Sequence, residues 1–167
     1  RSNLFDAFAK ATRTSCMILL IIMTGHIFGY FFTITQTTAT IVSWVADSGL
    51  PPLAVMSLIL LLVLFLGCFI DGLTIIILTV PLLLPVVVAM GYDPLWFGII
   101  LVVTAEVGMV TPPLGINVFV VASYTKRPVE EVFRGVTPHI IAHLLIIALF
   151  LLFPQLIMWV PESMSVR

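Results

Sequence analysis

The chain has 167 residues, of which 61% are hydrophobic and 9% charged, with a net charge of −1 and a mean hydropathy of +1.26. Soluble domains carry about 25% charged residues, so the natural solvent of this chain is a lipid bilayer. The near-neutral charge gives no basis for nucleic-acid binding.

In chain order, residues 3–13 (NLFDAFAKATR) set Leu4, Phe5, Phe8 and Ala11 on one face and Asp6, Lys10 and Arg13 on others. That pattern predicts a helix lying at the membrane surface, or a solvated lead-in to the first span. Residues 14–35 form that span, interrupted by Gly25, His26 and Gly29, where the helix bends or packs closely. His26 reads either as a proton relay or as a hydrogen-bond partner of a neighbouring helix. Residues 36–48 predict a short amphipathic helix, closed by Asp47-Ser48-Gly49 and followed by Pro51-Pro52.

Residues 53–90 hold two apolar arms around the break Gly67-Cys68-Phe69-Ile70-Asp71-Gly72. The first arm, 53–66, would reach only ~21 Å at 1.5 Å per residue, short of a hydrocarbon core of ~30 Å. A re-entrant hairpin with its tip near mid-membrane fits better than two full crossings. Pro81 and Pro85 predict a bent returning arm. Residues 91–124 follow as a turn and two half-helices, 95–107 and 114–124, separated by Gly108-Met109-Val110-Thr111-Pro112-Pro113-Leu114-Gly115-Ile116-Asn117. Residues 125–137 are the most charged stretch and read as a cytoplasmic loop. Residues 138–167 supply the last span, to about 160, and a tail. Lys10 and Arg13 before the first span, and Lys126, Arg127 and Arg134 between the broken helix and the last span, orient both clusters to the cytoplasm and the C-terminus outward.

The two breaks carry the chemistry. Non-helical backbone at membrane depth is tolerated only where protein buries it or it lines a polar cavity. Paired interruptions of this kind point to the ion or substrate site of a secondary transporter. A broken helix exposes carbonyls at one end and amides at the other, suiting a cation and an anion respectively. Gly67 and Gly72 let the hairpin tip turn. Asp71 costs roughly 2.5–3.5 kcal/mol at a helix centre, which bound sodium or a proton would offset. At the second break Pro112 lacks an amide, Gly115 permits an unusual turn, and Thr111 and Asn117 add oxygen ligands. Such oxygens suit sodium; no transition-metal site and no cofactor are expected. Thr74, Glu106 and Gly108 are further candidates, with Glu106 facing the cavity or pairing with a nearby cation.

Other residues read more plainly. Cys16 and Cys68 lie inside apolar segments, as small core residues rather than a disulfide framework or a metal site. His139 and His143 have the spacing of a two-histidine metal site, yet no glutamate follows His139 and no third ligand is evident. They are taken as interfacial histidines. Ser15, Ser57 and Ser123 have no acid–base partner nearby in sequence, which weighs against intramembrane hydrolysis. The start at Arg1-Ser2-Asn3, without methionine or signal-peptide regions, suggests a piece of a longer polypeptide.

LGCFIDGLTIIILTVPLLLPV at 66–86, EVGMVTPPLGINVFV at 106–120 and KRPVEEVFRGVTPHI at 126–140 resemble the large membrane subunit of tripartite ATP-independent periplasmic (TRAP) transporters, in its C-terminal half. The resemblance implies an all-α integral membrane fold, half of an inverted-repeat elevator transporter of the bacterial or archaeal cytoplasmic membrane. It implies sodium-coupled import of a C4-dicarboxylate, sugar acid or sialic acid delivered by a periplasmic binding protein. A small membrane subunit and the N-terminal half of the same subunit would be its partners. It would place Gly67, Asp71, Gly72, Thr111, Pro112, Gly115 and Asn117 near a sodium site or the substrate cavity. Another ion-coupled anion carrier working without a binding protein, and an intramembrane enzyme using Asp71, Glu106 or the histidines, stand as alternatives.

Overall fold

A computed structural model describes residues 2–165, which form eight helices: α1 (Ser2–Ile34), α2 (Thr37–Asp47), α3 (Pro52–Gly67), α4 (Gly72–Ala89), α5 (Pro94–Gly108), α6 (Ile116–Thr125), α7 (Val129–Leu152) and α8 (Gln155–Ser165). Among the described residues, α1, α4 and α7 are long and apolar enough to cross a membrane. The shorter apolar helices α3, α5 and α6 have 16, 15 and 10 residues.

The helix boundaries follow the local chemistry, with three departures from the sequence pattern. No separate helix covers 3–13: no glycine or proline precedes Gly25, and α1 runs unbroken through that boundary, where Thr14 Oγ1 donates to the Lys10 carbonyl at 3.1 Å. The charged stretch at 125–137 is mostly helix, because α7 begins at Val129. Glu130 and Glu131 occupy its first turn, where carboxylates oppose the positive helix end, and Arg127 pairs with Glu131 at 2.6 Å. Pro138 therefore lies inside α7 rather than at its start. The last span ends early: Phe153 leaves helical geometry, and the amide-less Pro154 separates α7 from α8.

The core is built around α5. Trp96, Phe97, Ile100, Leu101, Ala105 and Val107 are buried there against Met56 and Val63 of α3 and Ile75, Val86 and Val87 of α4. Ile140 and Ile147 of α7 and Ile157 of α8 close the cluster. The Trp96 indole N–H donates to the Phe150 carbonyl at 3.2 Å, which ties the start of α5 to the end of α7.

α1 is attached differently. Most of its side chains are exposed, and only Gly25 among those described is buried. A methyl group built on Gly25 would collide with the Ile77 side chain, and one on Gly29 would lie 3.1 Å from Pro81 Cβ. Small residues four apart let two membrane helices approach closely, so the interruption in α1 is a packing notch. Gly25 meets Ile77 and Gly29 meets Pro81, an equal step in the same direction, so α1 and α4 run parallel at this seam. Beside it lies a groove of about 670 Å³ lined by Ile22, His26, Tyr30, Thr33, Ile76 and Val80.

Gly25→Leu is expected to overfill the seam and cost about 1–3 kcal/mol, read as a lower thermal midpoint of the full-length subunit. Gly98→Ala is the control: open space surrounds Gly98, and the change should leave the midpoint equal or higher by helix propensity.

Candidate functional site

The two interruptions of the sequence touch. α3 and α5 end side by side at Gly67 and Gly108, both buried. A Cβ on Gly67 would lie 2.8 Å from Gly108 Cα and 3.0 Å from the Ala105 carbonyl oxygen. A Cβ on Gly108 would lie 2.6 Å from Gly67 Cα and 2.8 Å from the Leu64 carbonyl oxygen. Backbone meets backbone here with no room for any side chain.

Around that contact the hairpin turn is laced to the second break. Cys68 Sγ lies 3.4 Å from the Leu64 carbonyl and 3.5 Å from the Pro112 carbonyl, a weak donor shared across the two breaks. The Gly72 N–H, the first amide of α4, donates to the Met109 thioether at 3.3 Å. Glu106 is exposed, and its Oε1 lies 3.6 Å from the position a Gly72 Cβ would take. The glutamate therefore faces the tip of the hairpin.

Asp71 caps α4. Its carboxylate accepts the Thr74 N–H at 3.0 Å and the Thr74 hydroxyl at 2.6 Å, satisfying donors that the helix leaves open. Among the described residues no hydrogen bond joins Asp71 to the second break; its carboxylate stays exposed beside it.

The second break folds on itself. The Thr111 hydroxyl donates to the Val107 carbonyl at 2.7 Å, and the Asn117 N–H donates to the Met109 carbonyl at 3.2 Å. Gly115 sits at φ +55°, a left-handed conformation that disfavours a side chain, and a Cβ there would also lie 3.1 Å from the Phe133 ring. The Pro112–Pro113 peptide is cis.

Gly67, Gly72, Gly108, Glu106 and Pro112 are thus gathered at one junction, and Thr111, Gly115 and Asn117 form the adjoining loop. Leu64, Cys68, Ala105, Met109 and Phe133 escaped the sequence reading as junction residues. Cys68 and Met109 lie within the motifs themselves, so their position was the available signal. Phe133 lies within the resembling run at 126–140, but no sequence pattern set it against the second break. The negative ends of α3 and α5 and the positive ends of α4 and α6 converge here, and several of their open groups are bonded within the junction itself, the Gly72 N–H to Met109 and the Asn117 N–H to the Met109 carbonyl.

Apolar helices, three of them long enough to cross a bilayer among the described residues, mark a multi-pass membrane protein. The profile of the tripartite ATP-independent periplasmic transporter, DctM component, matches residues 1–156, and the chain belongs to that family. It is 33% identical over 157 residues to the sialic acid TRAP transporter large permease protein SiaM of Vibrio cholerae, covering 94% of this chain and 37% of the relative. It is 34% identical over 136 residues to the isethionate TRAP transporter permease protein DctMQ of Oleidesulfovibrio alaskensis, covering 81% and 21%. A C4-dicarboxylate TRAP transporter large permease protein DctM of Pseudomonas aeruginosa is 30% identical over 153 residues, covering 92% and 36%. The chain thus spans between about a fifth and two fifths of these relatives. Their names are those of transporters, not enzymes, which removes the intramembrane-enzyme alternative.

Gly67→Ala and Gly108→Ala should each cost about 1–3 kcal/mol by overpacking, with Gly108 the more severe. Gly135→Ala, in open space, should be neutral. Thermal midpoints of the three full-length variants check this ranking.

Proposed function

We propose that this chain is the C-terminal half of the transport core of a sodium-coupled organic-acid importer. Its place is the cytoplasmic membrane, working with the N-terminal half, a small membrane subunit and a periplasmic binding protein. α3 and α4 act as a re-entrant hairpin and α5–α6 as a broken helix in an elevator-type carrier. Gly67, Asp71, Gly72, Thr111, Pro112, Gly115 and Asn117 lie at the sodium or substrate cavity, with Thr74, Glu106 and Gly108 beside them.

The contact of Gly67 with Gly108 carries this reading, because it unites the two interruptions in a buried junction. The parallel seam supports the hairpin. Extending the Gly25–Ile77 pairing back along both helices sets Gly72 level with Leu20, seven residues above Arg13. At ~1.5 Å per residue, the first residue of α4 then lies ~10 Å from the level of Arg13, which supports a re-entrant hairpin. Relatives named for sialic acid, isethionate and C4-dicarboxylates support an organic acid as cargo. Each sodium ion gains ~2.3 kcal/mol per 100 mV on entry, equivalent to about 50-fold accumulation of an uncharged cargo, and each negative charge on an acid cargo subtracts the same amount.

Uptake of labelled acids by the full-length subunit and its small partner in proteoliposomes tests the proposal. Uptake should require an inward sodium gradient and an added binding protein. Sodium-dependent uptake without that protein would instead indicate a carrier of the same architecture acting alone. Asp71→Asn keeps an oxygen for the Thr74 N–H and removes the charge. It should retain the wild-type thermal midpoint and raise the sodium concentration for half-maximal uptake at least tenfold. An unchanged sodium requirement would exclude Asp71 from the ion site.

A further inference from the structure

The structure brings the histidine pair on α7 into ring contact, with no third protein ligand among the described residues. The imidazoles of His139 and His143 lie with ring centroids 4.1 Å apart at 52°, closer than the rise of a helical turn of ~5.4 Å, so the two rings lean toward one another. His143 Nδ1 is 3.0 Å from the His139 carbonyl. A carbonyl only accepts, so Nδ1 carries the proton and the Nε2 lone pair is left bare. Metal-binding histidines are usually held in this way, the far nitrogen donating to a carbonyl so that the near one is fixed and basic.

The surroundings permit access. His139 is exposed and His143 half-buried. His139 stands five residues above Arg134, ~7.5 Å along the helix, and helical side chains lean toward the N-terminus. Both rings therefore face the cytoplasmic headgroup layer in the orientation set by the basic residues. No group of three or more His, Cys, Asp or Glu side chains gathers to hold a metal among the described residues, so these two rings would be the ligands this segment offers.

We propose that His139 and His143 form a two-point chelate for a divalent transition metal, with the remaining coordination positions filled by water. Two imidazoles select Cu²⁺, Ni²⁺ or Zn²⁺ over the hard cations, with Cu²⁺ held most tightly. The chelate is separate from the glycine junction and binds whether or not the subunit is transporting. A bound metal would brace the turn of α7 that follows Phe133, the ring lying against Gly115 of the second break.

The test is Cu²⁺ titration of the untagged full-length subunit with its small partner in nanodiscs, followed by electron paramagnetic resonance. One Cu²⁺ coordinated by two nitrogens is expected to disappear in both His139→Ala and His143→Ala, each weakening that site at least tenfold. Zn²⁺ should displace the Cu²⁺. Thermal midpoints without metal should match the wild type, which separates a lost ligand from a lost fold. Wild-type Cu²⁺ affinity in either single variant, or no two-nitrogen signal in the parent, would overturn the chelate. A variant with a lowered midpoint is replaced by His→Gln at the same position and read by the same criterion.

Discussion

Helices in a bilayer gain little by hiding apolar surface from one another, because lipid is as apolar as leucine. What holds them is contact, and contact at van der Waals range requires backbones that can approach. The meeting of Gly67 with Gly108 is the tightest expression of that constraint. With no side chain on either residue, α3 and α5 close to backbone distance at the point where both stop being helical. Everything placed around the junction depends on this approach, from the Cys68 thiol under the Pro112 carbonyl to the Gly72 amide on the Met109 sulfur.

Close approach also sets the electrostatics. Helix ends carry about half a charge, and here the ends of four helices are brought together with few ionised groups among them. Asp71 and Glu106 are the carboxylates at this place. Asp71 is committed to capping α4, whereas Glu106 faces the hairpin tip without a bonded partner among the described residues. The fold therefore presents helix dipoles beside two carboxylates, one of which already caps α4.

Much of this was legible in the sequence. Glycine and proline mark helix ends for steric reasons that hold in any solvent, so the limits of α3, α4, α5 and α6 fell within a few residues of the pattern. The α1 boundary was misplaced because the amphipathic spacing of Leu4, Phe5 and Phe8 describes a helix face and says nothing about where the helix stops. The α7 boundary failed for the converse reason: charge was read as loop, although Glu130, Glu131 and Arg127 stabilise a helix start. That Gly67 faces Gly108 could not be read at all, since it depends on how α3 and α5 cross. The histidine pair was visible as spacing, but the tilt of its rings and the carbonyl fixing His143 are properties of the folded helix.

The seam between α1 and α4 has one further consequence. α1, a helix of 33 residues with Gly25 as its one buried residue among those described, contributes no side chain to the core cluster and is keyed to α4 by a notch. Sliding such a rod along its neighbour disturbs one interlock, Gly25 against Ile77 and Gly29 against Pro81, while the interior around Trp96 and Met56 stays shut. The joint between α1 and α4 is therefore a keyed one, set by the fit of glycine to side chain and separate from the interior around Trp96.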